Sequence, residues 1–157
     1  MKEKVYIETT IVSYLAAKPS KDLVIAAHQQ LTHEWWKNRR SQFESYVSQL
    51  VLREASAGHR HAASERLKVL TQLPVLEVTE ESLELARELV NKKALPQKAE
   101  LDALHISIAT VHGMHYLLTW NCKHIANAQM QPAISATCLS MGYEPPIICT
   151  PEELMGT

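Results

Sequence analysis

The chain has 157 residues, a formal net charge of −1 and 46% hydrophobic residues, which suits a single domain over residues 1–157 that buries roughly 70% of its unfolded surface without a disulfide or structural metal. A balance of 16 basic against 17 acidic residues excludes a chain built as a whole to coat nucleic acid, and no segment approaches the roughly 20 apolar residues that cross a bilayer. Cys122, Cys138 and Cys149 form no CxxC pair, which fits thiols packed as small apolar groups in a reducing cytoplasm, and the opening MKEKVYIE lacks the features of a secretory leader.

Val5, Tyr6 and Ile7 predict a short strand that runs into Glu8, Thr9 and Thr10 and then a helical turn through Ile11, Val12, Tyr14 and Leu15. In this βα junction Thr9 or Thr10 is the expected helix cap, and the helix dipole favours Glu8 near the N-terminus. After the loop AAKPS, Ser20 or Asp22 begins a long helical pattern carrying Leu23, Val24, Ala26, Ala27, Leu31, Trp35 and Trp36. At least one of the two tryptophans belongs to the core. The basic run that follows complements the C-terminal end of the dipole. Phe43, Ser45 and Val47 alternate with Glu44, Tyr46 and Ser48 as a second strand. The next helix has its apolar side at Leu50, Val51, Ala55 and Ala57, with Glu54 one turn from Leu50 and Gly58 at its end.

Residues 59–71 form another amphipathic helix, in which His59, Arg60 and His61 read as a solvated start because neighbours one apart on a helix do not converge on a metal. Val75 to Val78 predict a third strand, and Thr79 with Ser82 caps a strongly patterned helix from Glu80 to Lys93. The loop ALPQKA leads into ELDALHISIATVHG, a helix whose apolar residues cover most of its circumference, with Leu101, Leu104, Ile108 and Val111 as the leading stripe. Asp102 therefore sits at the rim of a core. Tyr116, Leu117 and Leu118 form a buried strand that stops at Thr119, Trp120 and Asn121. Cys122 and His124 alone are too few for a zinc site. A last helix from Pro132 to Met141, a strand from Pro146 to Cys149 and a turn at TPEEL complete the chain.

Strands alternating with helices predict a three-layer α/β/α sandwich on a mainly parallel sheet. Ligands collect beyond the carboxyl ends of such strands. Glu8, Glu54, Asp102 and Asn121 reach that edge from four separate segments, although each taken alone also reads as an ordinary surface or helix-start group.

On these residues the sequence resembles the PIN-domain ribonucleases, and in particular the VapC-like toxins of type II toxin–antitoxin pairs. VYIETTIVSYL is similar to the family's opening strand and first acid, SQLVLREASAG to the helix with the second, ELDALHISIAT to the helix with the third, and LLTWNCKHI to the strand and tip with the fourth. The resemblance spans essentially the whole chain, with the four pieces in the family's order. It implies that Glu8, Glu54, Asp102 and Asn121 form a catalytic pocket holding Mg2+ or Mn2+. It also implies cleavage of single-stranded RNA to 5′-phosphate and 3′-hydroxyl ends, an antitoxin protein as partner, and a homodimer.

Two residues depart from the family pattern. Glu8 stands where the first acid is usually Asp, and Asn121 is neutral where the fourth is often Asp. The chain thus keeps a ligating oxygen at position 121 but loses a charge. Glu100, two residues from Asp102 on a helix, reads as a helix-start or supporting acid.

Acids crowded at such an edge repel unless neutralised, and a hard divalent ion held by oxygens is their natural counterpart. Lys18, Lys37, Arg39, Arg40, Lys98 and Lys123 are the available phosphate contacts. His105, one turn after Asp102, reads as a satisfied buried histidine. The alternatives are a catalytically weak or inactive PIN-like binding module and a small-molecule or phosphate-binding α/β domain. The second has no Gly-rich phosphate loop among only four glycines to support it.

Overall fold

A computed structural model describes residues 1–157. The short apolar runs form five strands, β1 (Glu3–Ile7), β2 (Phe43–Ser48), β3 (Val75–Leu76), β4 (Tyr116–Leu118) and β5 (Ile147–Cys149). They make one sheet in the order β3-β2-β1-β4-β5, with every pairing parallel. The centre falls to β1, whose Val5, Tyr6 and Ile7 are wholly buried, as expected of a parallel strand covered on both faces. The chain moves outward from β1 through β2 to β3 and then returns to β4 and β5 on the other side. This places a topological switch point at the carboxyl end of β1.

Seven helices flank the sheet: α1 (Thr9–Ala16), α2 (Leu23–Asn38), α3 (Gln49–Ala55), α4 (Arg60–Leu70), α5 (Glu80–Asn91), α6 (Glu100–Val111) and α7 (Gln131–Ser140). Helix α1 packs on α2, α3 and α4, whereas α5 packs on α6 and α7, giving the three layers that the strand–helix alternation predicts. One hydrophobic cluster of 30 buried residues runs through sheet and helices. No helix is long and apolar enough to cross a membrane.

Local chemistry sets the helix ends. Asp22 caps α2 by accepting from the Val24 and Ile25 amides, and Thr79 with Ser82 forms a reciprocal capping box at α5. Gly113, at φ +71°, closes α6 in a left-handed turn. Its amide bonds to Thr110 O and that of Met114 to Ala109 O, a Schellman arrangement that aims the chain into β4.

Several expectations need correction. Neither Thr9 nor Thr10 caps α1: the helix already begins at Thr9, so Glu8 holds the cap position without a side-chain cap bond, and both threonine hydroxyls donate to carboxylates. Helix α6 is buried on most sides as expected, at Ala103 and from His105 to Thr110, but Leu101 of the leading stripe lies open at 52% exposure. The apolar start of α2 is likewise uncovered, with Leu23 86% exposed. Trp35 is core and donates to Leu154 O, while Trp36 carries the Arg40 guanidinium 4.2 Å above its ring.

Candidate active site

The register brings the ends of β1 and β4 together, with Ile7 paired to Leu118. Glu8 and Thr119 are therefore neighbours, and the Glu8 amide bonds to Leu118 O. Glu8 is only 4% exposed. Its Oε1 accepts from Thr10 Oγ1 at 2.5 Å and Thr119 Oγ1 at 2.6 Å. Each hydroxyl is itself held by a backbone amide of the tip, Thr10 by Trp120 N–H and Thr119 by Asn121 N–H, both at 2.9 Å. Such amide-to-hydroxyl-to-carboxylate chains fix one oxygen of the acid. Trp120 anchors the tip by stacking on His28, with ring centroids 3.9 Å apart, and by donating to Thr32.

Glu54 comes in from α3, the helix that Ser48 caps as β2 ends. Its Oε1 accepts from Thr9 Oγ1 at 2.5 Å and faces His105 Nε2 at 2.7 Å. Adjacent threonines thus serve the two acids, Thr9 for Glu54 and Thr10 for Glu8. Partial burial pushes the Glu54 carboxyl upward, but the hydrogen bonds from His105 and the Thr9 hydroxyl outweigh it and hold the acid below the ordinary carboxylate range. A carboxyl depressed in the folded state contributes stability that is full above its unfolded pKa and is lost as pH falls through the folded one. Acid unfolding followed by urea titration between roughly pH 5 and pH 3 should therefore show a shallower loss of stability in Glu54→Gln than in the wild type. Parallel curves would mean that Glu54 is not so held.

The protein donors to Glu8 and Glu54 all reach Oε1, and each acid keeps Oε2 free of protein donors. Ligand atoms of Glu8, Glu54 and His105 lie within 4.8 Å of one another. Two pinned carboxylates, each with an oxygen free of protein donors, are a donor set that fits a hard divalent ion keeping several of its waters.

Asp102 and Asn121 form a second group beside the first. Asn121 Nδ2 donates to Asp102 Oδ1 at 3.0 Å, and His124 Nδ1 lies 3.0 Å from Asp102 Oδ2. Asn121 Oδ1 accepts from the His124 amide. Both oxygens of Asp102 are therefore engaged within the protein, and the Asn121 carbonyl faces the backbone of its own turn. Thr119 joins the two groups, since its hydroxyl accepts from Asn121 N–H and donates to Glu8.

Sequence reasoning left out the supporting threonines Thr9, Thr10 and Thr119 and the contacts of His124. The hydroxyls directly beside Glu8 and Asn121 were the available signal. His105 is the satisfied buried histidine expected, with both ring nitrogens hydrogen-bonded. Lys37 and Arg40 border a groove with Lys2, Phe43 and Pro74, at the amino ends of the strands and thus opposite the acids. Lys98 and Lys123 lie on the segments that carry Asp102 and Asn121.

The sequence matches the PIN domain over residues 5–121, a span containing Glu8, Glu54, Asp102 and Asn121, and the chain belongs to the PIN domain family. No curated protein matches it. Its fold is similar to VapBC2 from Rickettsia felis, solved bound to a DNA fragment from its promoter, with a TM-score of 0.61 and 16% identity over 94% of this chain and 98% of that one. It is also similar to VapC20 of Mycobacterium tuberculosis, described as a Sarcin-Ricin loop cleaving toxin, with a TM-score of 0.61 and 16% identity over 79% and 95% of the two chains.

Proposed function

We propose that this protein is a Mg2+- or Mn2+-dependent endoribonuclease that hydrolyses single-stranded RNA and serves as the toxin of a toxin–antitoxin pair, with an antitoxin protein and a second copy of the chain as partners. The observation that carries the nuclease reading is the pair of free Oε2 atoms on Glu8 and Glu54, each presented by an acid whose other oxygen is clamped. PIN family membership and the fold shared with VapC20 and VapBC2 support the toxin role.

In this reading Glu8 and Glu54 hold the cation, with Asp102 and Asn121 at its border. When bound, a divalent ion supplies Lewis acidity, lowering the pKa of water and stabilising charge on the leaving oxygen of a phosphodiester. Thr9, Thr10 and Thr119 keep the acids from turning, so little reorganisation precedes reaction. Trp120, stacked and hydrogen-bonded, keeps the tip beside the acids. In this reading Lys98 and Lys123, on the segments that carry Asp102 and Asn121, supply contacts to the RNA phosphates.

The second reading, a catalytically weak PIN-like binding module, draws on the engagement of both Asp102 oxygens by Asn121 and His124. Incubation of purified protein with single-stranded RNA separates the two. Cleavage supported by Mn2+, abolished by EDTA and lost in Glu54→Gln is the expected result, and RNA left intact at every Mn2+ concentration supports the binding module instead. The toxin role is read separately, as growth arrest on expression that co-expression of a small adjacent protein relieves.

A further inference from the structure

A hydrogen-bonded chain leaves α3 at its cap and returns to it at Glu54. The Val51 amide donates to Ser48 Oγ at 3.2 Å, Ser48 Oγ lies 2.8 Å from the Tyr6 hydroxyl, that hydroxyl lies 2.7 Å from His105 Nδ1, and His105 Nε2 lies 2.7 Å from Glu54 Oε1. Tyr6, Ser48 and His105 are almost wholly buried, so water does not supply alternative partners.

Counting protons fixes the direction of the chain. The Glu54 carboxylate only accepts, so His105 Nε2 carries a proton and donates to it, and in the neutral imidazole Nδ1 is then the acceptor. The Tyr6 phenol has a single proton, which goes to His105 Nδ1, so the Tyr6 oxygen accepts from Ser48 Oγ, which itself accepts from the Val51 amide. His105 Nε2 then has no lone pair for a cation, although a ring nitrogen of His105 lies within 4.8 Å of ligand atoms of Glu8 and Glu54.

We propose that His105 is a positioning residue and not a metal ligand: Tyr6 and Ser48 lock it in the Nε2–H form, and it holds Glu54 Oε1 so that Oε2 faces the cation. This rests on the metal-dependent reading of the site. The arrangement ties β1, α3 and α6 together through one donor series, with its sense set by a carboxylate that can only accept.

The test is Mn2+ binding, read by the loss of the free-ion EPR signal, in the wild type, His105→Leu, His105→Gln and Tyr6→Phe, with far-UV circular dichroism as the folding control. The wild type should bind Mn2+ without the strong 14N coupling of a directly bound imidazole in pulsed EPR. Loss of an outer-shell partner weakens metal binding by about 10- to 100-fold, the range expected for His105→Leu. Tyr6→Phe, which leaves Glu54 untouched but frees Nδ1, should weaken binding by about 3- to 10-fold. A Gln amide can accept from Tyr6 and donate to Glu54, so His105→Gln should stay within about threefold of wild type.

Direct 14N coupling, wild-type affinity in folded His105→Leu, or equal weakening by Gln and Leu each overturns the assignment. If His105→Leu does not fold, wild-type affinity in Tyr6→Phe does so on its own. A wild type that binds no Mn2+ overturns the metal reading and this inference with it, whereas the other adverse outcomes leave the metal reading standing.

Discussion

Glu8→Gln should remove the stabilisation that Mn2+ gives the wild type and lower cleavage by at least about 100-fold, a barrier increase of about 2.7 kcal/mol. The substitution is unusually selective because of how Glu8 is held. Its Oε1 takes both hydroxyl donors, Thr10 at 2.5 Å and Thr119 at 2.6 Å, and a Gln carbonyl oxygen can keep both bonds. Only the free oxygen changes, becoming an NH2 group that repels a cation. The fold is thereby preserved while the cation loses one of two carboxylates. At a Mn2+ concentration about 100 times Kd, wild type should gain about 2.7 kcal/mol. For a chain of this size that is a rise of roughly 5–10 °C in Tm. Calorimetry with and without Mn2+ reads this directly, and an equal rise in wild type and Glu8→Gln would show that the ion is held elsewhere.

Periodicity carried most of the fold because each short strand is apolar throughout and each helix has an identifiable start. Tyr116 to Leu118 is too short for a helix and too apolar for a loop, and it forms the strand beside β1. Asp22 and the Thr79–Ser82 pair mark helix starts by side chains that have no better use. The same rule misleads at Thr9 and Thr10, which lie inside the first turn of α1 and give their hydroxyl protons to Glu54 and Glu8. Within the site, chain order placed the acids at strand ends but could not show which atoms of each acid are taken. That depends on partners more than 40 residues away, such as His105 for Glu54 and Thr119 for Glu8. The crowding of acids suggested that a cation must offset their repulsion. For Glu54 the protein supplies part of that offset itself, through His105 and Thr9. The exposure of Leu101 was hidden for a different reason: a helix apolar on most sides gives no strong indication of which residue of its first turn is left open.

Asn121→Asp should make the metal-free protein less stable and its Mn2+ dependence steeper. Asn121 Nδ2 now donates to Asp102 Oδ1 at 3.0 Å, so the neutral amide serves as a built-in counterpart to that carboxylate. An aspartate in its place offers no donor and sets two negative charges roughly 3 Å apart, a repulsion of about 1–3 kcal/mol once the partial exposure of Asp102 is allowed for. At neutral pH and low salt this corresponds to a Tm lower by about 2–12 °C. The loss should shrink as salt rises, because screening acts on the exposed part of the interaction. The same change frees Asp102 Oδ1 from its amide partner, while His124 still holds Oδ2. Divalent ions, favoured by an added carboxylate and a released one, should then restore the lost stability and exceed the gain seen in wild type, with RNA cleavage rising alongside. Unchanged metal-free stability together with a wild-type Mn2+ response would show that the Asn121 amide does not restrain Asp102, and the low charge of this edge would need another explanation.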